Sequence, residues 1–487
     1  MTPFVLAIDI GTTSTKVLAV LPNGQVIKSL QSFYPTHYPA PGFAEQDPKQ
    51  ILEAVYHCIG GVLDSVSGID QLVGISFSSA MHSLMAVDHR GEPQSPLMIW
   101  ADTRSSSHAQ ALRNTSWGDE LHECTGTAVH PMSPFCKFLW WKENQPALLS
   151  AYKFISIKEY VLYQLTGQFL VDYSIASATG LFEIDNLQWF SKAIDWIGIK
   201  ASQLSSPVPG DQPVFIQNNS IAFSKNVKDI PVFPGASDGC LAQLGSDALD
   251  TGTLTITLGT SGAVRRVALP SLQDPEHRLF RYILYPDTLI TGGATNNGTV
   301  VLDWFAKQFE AGVDLASLVK KAVTAPLGCE GLLALPYLLG ERAPIFDPYA
   351  RGVFFNVSPG HTREHFARAL LEAVCYEVRS IVDSVETVCG TSDRIIVSGG
   401  FTHAPAWVQM LGDVIGKELV ISGVHDASAM GAARMAFQAL KIPYKPNAVE
   451  VDSYSPNPEA HTLYTQHFER FNQLYVSLKA VFEAANR

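Results

Sequence analysis

The chain has no C-x-x-C pair, and its seven cysteines, at positions 58, 124, 136, 240, 329, 375 and 389, are odd in number and widely scattered. That usage argues against a disulfide framework and reads as reduced core thiols in a cytoplasmic protein. Positive charge is scarce as well: 34 Lys and Arg stand against 46 Asp and Glu, a formal net charge of -12. With no basic cluster long enough to follow a phosphodiester backbone, nucleic acid is not an expected partner. No apolar run approaches the ~20 residues of a membrane span. The first such run, from Phe4, is broken by Asp9 and has no basic flank or cleavage site, so it reads as a core strand rather than a signal peptide. G-x-G-x-x-G, Walker A and metal-ligand spacings are absent too, which counts against dinucleotide enzymes and P-loop ATPases.

What is present is a repetition. LAIDIGTTSTKVLAV from Leu6 and LTITLGTSGAVRRVA from Leu254 each run an apolar strand into a turn of glycine and hydroxyl residues. Backbone N–H groups and Ser/Thr hydroxyls with no bulky side chain in the way form a cradle for phosphate oxygens. Two such cradles suggest two halves gripping one nucleotide. Length alone allows roughly three domains at ~150 residues each, but the duplicated loop argues for two large ones, and 46% hydrophobic residues describe a folded globular chain.

Asp47-Pro48 starts a helix over Pro48 to Ser65, followed by a buried strand at Leu72 to Phe77. A further helix is readable near Ile155 to Leu165. The irregular, proline-bearing run from Pro207 to Pro234 is the best boundary candidate. In the second half the pattern predicts helices over His365 to Val388 and Ala427 to Leu440 and a strand at Arg394 to Val397 that ends in Ser398-Gly399-Gly400. The run Phe138, Trp140, Trp141 reads as a core-packing stripe.

Several polar residues stand where strands finish, which is where α/β proteins build pockets. Asp9 ends the first strand, where a lone carboxylate is costly unless paired or metal-linked, and Lys16 adds positive charge. Asp238, in GASDG, is either a helix cap or a general base for an attacking hydroxyl. Met81-His82, Trp100 with Asp102 and Arg104, and His130 complete the set, although His82 could be a satisfied core residue and Asp102–Arg104 a plain ion pair. GGATNNGTVVLDW from Gly292 either contacts nucleotide or merely turns the chain into a helix near Val300.

Taken together, these segments resemble the FGGY carbohydrate kinases, within the actin, Hsp70 and hexokinase superfamily. DIGTTSTK at 9 and LGTSG at 258 are similar to the family's two phosphate loops, SGG at 398 to its adenosine loop, and GASDG at 235 to the segment with its catalytic aspartate. MSPFCKFLWWKEN from 132 and RGVFFNVSPGHTREHFARALLEA from 351 resemble its two signatures, with Trp141 and Asn356 as departures. The resemblance implies an α/β fold of two ribonuclease-H-like (actin-like ATPase) domains, residues 1–245 mainly for sugar and 246–487 mainly for ATP, with a catalytic cleft between them. It implies Asp238 as base, Asp9 and Asp238 toward Mg2+, and nucleotide contacts at Thr12, Thr13, Lys16, Gly259, Thr260, Gly298, Gly399 and Gly400. Sugar contacts are implied at Met81, His82, Trp100, Asp102, Arg104, His130 and Asp238.

Ala80 and Ala101 depart from the Gln-Met-His and Trp-Asn-Asp of xylulose kinases. SSAMHSL at 78, WADTRS at 100, GTAVHPMSP at 126, DYSIASATGLF at 172 and GGATNNG at 292 are instead similar to members of the family that act on gluconate. A gluconate carboxylate needs a cation or several donors, and Arg104, Lys137, His82 and His130 are the candidates. Thr402-His403-Ala404 departs from the usual Ala-Arg-Ser after the glycine pair. Expected partners are ATP and a small sugar or sugar acid, with a homodimer left open. The alternatives are a pentulose kinase within the family and an actin- or Hsp70-like ATPase outside it.

Overall fold

The computed structural model describes residues 2–485 apart from 67–70, 114, 218–228, 311 and 447–449. Two mixed sheets dominate. The first contains β1 (Phe4–Ile10), β2 (Ser14–Val20), β3 (Val26–Phe33), β4 (Leu72–Ser79), β5 (Val214–Phe215) and β6 (Pro231–Ser237), in the order β5-β6-β4-β1-β2-β3. The second contains β7 (Thr253–Leu258), β8 (Gly262–Ala268), β9 (Phe280–Tyr285), β10 (Thr288–Thr295), β11 (Arg394–Ser398), β12 (Leu419–Ser422) and β13 (Glu450–Tyr454), in the order β9-β10-β8-β7-β11-β12-β13.

The two sheets share one plan. In each, an antiparallel hairpin carries the glycine loop, β1–β2 in one and β7–β8 in the other, and a parallel strand flanks the hairpin, β4 beside β1 and β11 beside β7. Asp9 pairs in register with Ser78, and Thr257, at the equivalent place, pairs with Ser398. This is the duplicated two-domain α/β architecture expected from the sequence.

Helices cover the faces: α1 (Pro48–Ser65), α2 (Pro134–Asn144), α3 (Ile157–Thr166), α4 (Asp238–Gly245), α5 (Val300–Phe309), α6 (Arg363–Cys389), α7 (Ala427–Ala439) and α8 (Pro458–Ala485). Asp47 caps α1 by accepting from Lys49 N–H at 2.9 Å, and Ser156 with Glu159 forms a capping box on α3. The α6 helix is 27 residues long, a turn beyond its hydrophobic pattern in total, because Thr362 and Gly390 rather than apolar residues set its ends.

Three expectations need correction. The run from Pro207 to Pro234 is no linker where it is described: its end forms β6, whose Val232 and Phe233 pair with β4 in the middle of the first sheet, while 218–228 lie outside the described residues. Proline is tolerated there because Pro231 opens the strand and a register shift accommodates Pro234. Second, the sheets do not own separate helices. The second half's α7 packs on α4, β4 and β1, and approaches α4 so closely that a Cβ on Gly431 would sit 2.0 Å from the Leu241 carbonyl. One apolar cluster therefore joins Val5 and Ala7 of β1 to Leu241, Tyr282, Ala429 and Ala433. Third, Trp140 is not core like Phe138 and Trp141. It is half-buried, with its ring edge-on to Phe43 and its face toward Arg104.

Candidate active site

A cavity of about 250 Å³ opens between the two sheets at the ends of β4, β6 and β8. Its lining from the first half includes Thr12, Met81, His82, Trp100 and Asp238, and from the second half Thr257, Ser261, Ala263, Arg265, Tyr282 and Arg342.

Asp238 is the first residue of α4. Ser237 caps that helix, accepting from Cys240 N–H, and is itself fixed by a 2.9 Å hydrogen bond from Ser174. Below it, buried Lys158 donates to the carbonyls of Pro234 and Ala236 and pairs with Asp172 at 2.6 Å, which pins the last residues of β6. The Asp238 carboxylate accepts from Gly239 N–H at 2.7 Å. Burial, and then the negative charge of Asp9, push its pKa up to about 6, against the pull of Arg265. A carboxylate that titrates there is a stronger base than a free aspartate and is still ionised at neutral pH.

Asp9 does not line that cavity but lies near enough to Asp238 for their charges to interact. Its Oδ2 accepts from Ser428 at 2.8 Å, while its Oδ1 is buried with no hydrogen-bond partner. Burial raises its pKa from the usual range. An orphaned buried carboxylate oxygen beside phosphate-cradling loops suits a hard divalent cation, since Mg2+ takes one or two carboxylates and completes its shell with phosphate oxygens and water. Lys16, by contrast, is engaged by Asp426 at 2.6 Å.

The loop after β1 is held from three sides. Tyr34 donates to Gly11 O at 2.7 Å, Gln46 to Thr12 O at 2.6 Å, and the Trp100 indole to Thr12 Oγ1 at 2.9 Å. Trp100 thus positions the Thr12 hydroxyl as well as lining the cavity. In the second half, Gly298 N–H bonds Thr260 O at 3.1 Å and Thr299 N–H bonds Gly259 O at 2.7 Å, locking the entry to α5 onto the loop after β7. Gly399 has φ +102, and a Cβ there would lie 2.4 Å from Leu258 O, so only glycine lets β11 turn against that loop.

His82 is neutral, its pKa pushed down to about 3 by burial and by Lys137. Its Nδ1 faces Ala178 O at 2.8 Å and must donate there, which leaves Nε2 to accept from Tyr282 Oη at 3.4 Å. Three residues expected at the sugar lie elsewhere. Asp102 and Arg104 are closed on each other at 2.7 Å, with Glu45 as the second acid and Phe43 stacked 3.7 Å from the guanidinium. His130 lines a separate cavity of about 120 Å³ with Arg113 and Phe346. Lys137 is buried too, donating to Ile99 O at 2.8 Å and to His82 O, with its pKa lowered to about 7 by burial.

The cations that do reach the cavity were missed. Arg342 donates to Thr295 O at 2.8 Å and lies over Trp100, centroid distance 5.2 Å. Arg265 extends from β8. The reasoning that singled out Asp9, a charge inside an apolar strand, applies equally to VRRVA, where consecutive arginines must point to opposite faces. Arg266 takes the other face and bonds the carbonyls of Thr251, Gly390 and Thr391.

A two-sheet cleft with an aspartate at a helix start and paired glycine–hydroxyl loops is the architecture of a nucleotide-using α/β protein, and comparison with known proteins gives the class. The chain belongs to the FGGY family of carbohydrate kinases: residues 4–245 match its N-terminal domain and residues 254–440 its C-terminal domain. It is 36% identical over 452 residues to a gluconokinase of Bacillus subtilis, covering 90% of this chain and 88% of that one. A xylulose kinase of Lactococcus lactis is 30% identical over 484 residues, 97% of this chain and 96% of the other. Among solved structures, gluconate kinase from Lactobacillus acidophilus superposes with a TM-score of 0.93 at 30% identity, covering 99% of this chain and 100% of that one.

Proposed function

We propose that the protein transfers the γ-phosphoryl group of ATP to the terminal hydroxyl of D-gluconate, giving 6-phosphogluconate and ADP, with Mg2+, in the cytoplasm. The observation that carries this reading is Asp238, raised to about pKa 6 at the floor of a cavity flanked by both phosphate loops. Gluconate as the acceptor is supported by the higher identity to a gluconokinase, 36%, than to a xylulose kinase, 30%. Ala80 and Ala101 support it further.

In this reading Asp238 takes the proton of the attacking hydroxyl as its oxygen bonds to the γ-phosphorus and the bond to the β-phosphate oxygen breaks. The N–H groups and hydroxyls of Thr12, Thr13, Gly259 and Thr260 hold phosphate oxygens, and Gly298, Gly399 and Gly400 leave room for the nucleotide. Asp9, together with Asp238, would hold Mg2+, which when bound would supply charge neutralisation at the phosphates. Met81, Trp100 and the Tyr282–His82 pair shape the sugar side. Asp102, Arg104 and His130 support that wall from behind rather than touch the sugar.

Phosphorylation of gluconate, xylulose, ribulose and glycerol, compared side by side with coupled ADP detection, tests the reading. Gluconate is expected to give the largest kcat/KM by about a hundredfold, in the range that a missing charged contact costs. A larger value with xylulose would overturn the assignment.

A further inference from the structure

The four cations that the sequence offers to a sugar acid are all spoken for or uncharged. Arg104 is neutralised by Asp102 and Glu45, Lys137 is tied to two carbonyls, and His82 and His130 are buried as neutral rings. Arg342 faces the cavity, spends one Nη on Thr295 O and its face on Trp100, and keeps Nε buried without a partner. Arg265 differs from all of them. Its guanidinium lines the cavity, has no hydrogen bond or close ion pair among the described residues, and feels the charge of Asp238 at longer range. It lies flat on Gly239, where an added Cβ would meet Nε at 2.9 Å and Nη2 at 3.4 Å. A half-buried guanidinium that feels one carboxylate charge but has no hydrogen-bond partner leaves its fork of donors open to a ligand.

Its place on the strand fixes the direction of that ligand. Ser261, Ala263 and Arg265 alternate along β8 and all line the cavity, so Arg265 stands about 13 Å along the strand from the phosphate-loop serine at ~3.3 Å per residue. Between them the wall is low: Ala263 pairs in register with Ala294, and Arg265 with Gly292. One end of this trough holds the phosphate loop and the other a free planar fork of donors. Asp238 faces the space between.

We infer that Arg265 is the specificity residue that binds the substrate carboxylate, in a two-pronged guanidinium–carboxylate contact, and so sets the sugar acid with its far hydroxyl toward the phosphate loops. The inference rests on the gluconate reading above. Phe280, Met81 and the Tyr282 hydroxyl already committed to His82 add no cation there, and Arg342, near enough to feel the charge of Arg265, is anchored to Thr295 O. Arg265 also acts on Asp238 through its charge, so the test must separate the two roles.

Arg265→Gln and Arg265→Lys are compared with the wild-type enzyme on D-gluconate and on D-glucitol, which keeps the carbon chain and hydroxyls but replaces the carboxylate with a neutral CH2OH. The assays are run near pH 8, about two units above the titration of Asp238. Arg265→Gln is expected to lose about a hundredfold or more in kcat/KM on gluconate, mainly through KM, with D-glucitol changed by less than about threefold. Arg265→Lys, with charge but no fork, falls between. Equal losses on both substrates, or no loss on gluconate, would overturn the inference while leaving the gluconate reading in place. A wild-type enzyme inactive on gluconate would overturn both. Should Arg265→Gln fail to fold, as judged by melting temperature and ATP binding, the Lys variant carries the same comparison.

Discussion

The Ser428 hydroxyl donates to Asp9 Oδ2 across 2.8 Å, linking the start of α7 in the second half of the chain to the end of β1 in the first. Two residues earlier Asp426 holds Lys16 at 2.6 Å. The glycine–hydroxyl loop after β1 is therefore flanked by residues more than 400 positions away, and Asp9 keeps only Oδ1 free. Asp9→Asn is expected to lower kcat by roughly a hundredfold or more, because charge neutralisation at the transferred group is lost. It should also shift the Mg2+ dependence of the rate to higher concentration. Gluconate binding measured by calorimetry without nucleotide should stay within about threefold of wild type, since Asp9 lies on the phosphate side. An unchanged Mg2+ dependence would show that Asp9 does not hold the metal.

Asp238 gives a pH prediction of definite sign. Its pKa of about 6 means that kcat/KM falls about tenfold per unit below pH 6 as the base is protonated. Asp238→Asn should cost roughly a thousandfold or more in turnover and erase that limb. Stability moves oppositely. The folded pKa lies above the unfolded value, so the ionised carboxylate destabilises the fold above pH 6, and that penalty fades as pH falls toward 4. Asp238→Asn should thus be more stable than wild type at pH 8, on the order of 1–2 kcal/mol. Denaturant melts at pH 8 and pH 4 check both the gain and its disappearance.

Asp102 is fully buried, accepts from Ala44 N–H at 2.8 Å and carries Arg104. The pair lies outside the lining of the cavity, packed among Glu45, Phe43 and Trp140, and a structural role is expected of it. Asp102→Ala leaves a buried guanidinium with Glu45 alone and is expected to cost about 3–5 kcal/mol in urea unfolding. Arg104→Lys should also destabilise, by less, because it loses the fork and the stacking on Phe43. Nucleotide affinity should be nearly unchanged in both, and a selective loss of sugar affinity without destabilisation would contradict the structural role.

These residues show what the sequence made legible. Segments governed by local rules were readable: Asp47-Pro48 sets a helix start by its own chemistry, a continuous apolar run sets β1, and alternating apolar residues set β7. Strand ends were readable as places where polar residues collect, so Met81, His82, Trp100 and Asp238 converge on one cavity. Direction was not readable. Asp102, Arg104, Lys137 and His130 share that polar, strand-end character, yet which of them faces the cavity depends on partners as distant as Glu45 and Phe346. Arg265 was hidden for the opposite reason. Its strand belongs to the nucleotide half by motif, and only the crossing of β8 over α4 brings it to the sugar side.

The glycine pair after β11 allows two effects to be separated. A Cβ at Gly399 would collide with Leu258 O at 2.4 Å in a backbone with φ +102, whereas a Cβ at Gly400 would meet no protein atom within 4 Å. Gly399→Ala must distort the turn and is expected to lower stability by about 1–3 kcal/mol along with ATP affinity. Gly400→Ala leaves the fold alone, with a melting temperature within about 2 °C of wild type. If the open side of Gly400 is where the nucleotide lies, its added methyl still raises the KM for ATP, by about tenfold, through contact with the ligand. Gluconate affinity stays put in that variant. A Gly400→Ala enzyme with unaltered KM for ATP would place the nucleotide away from this loop.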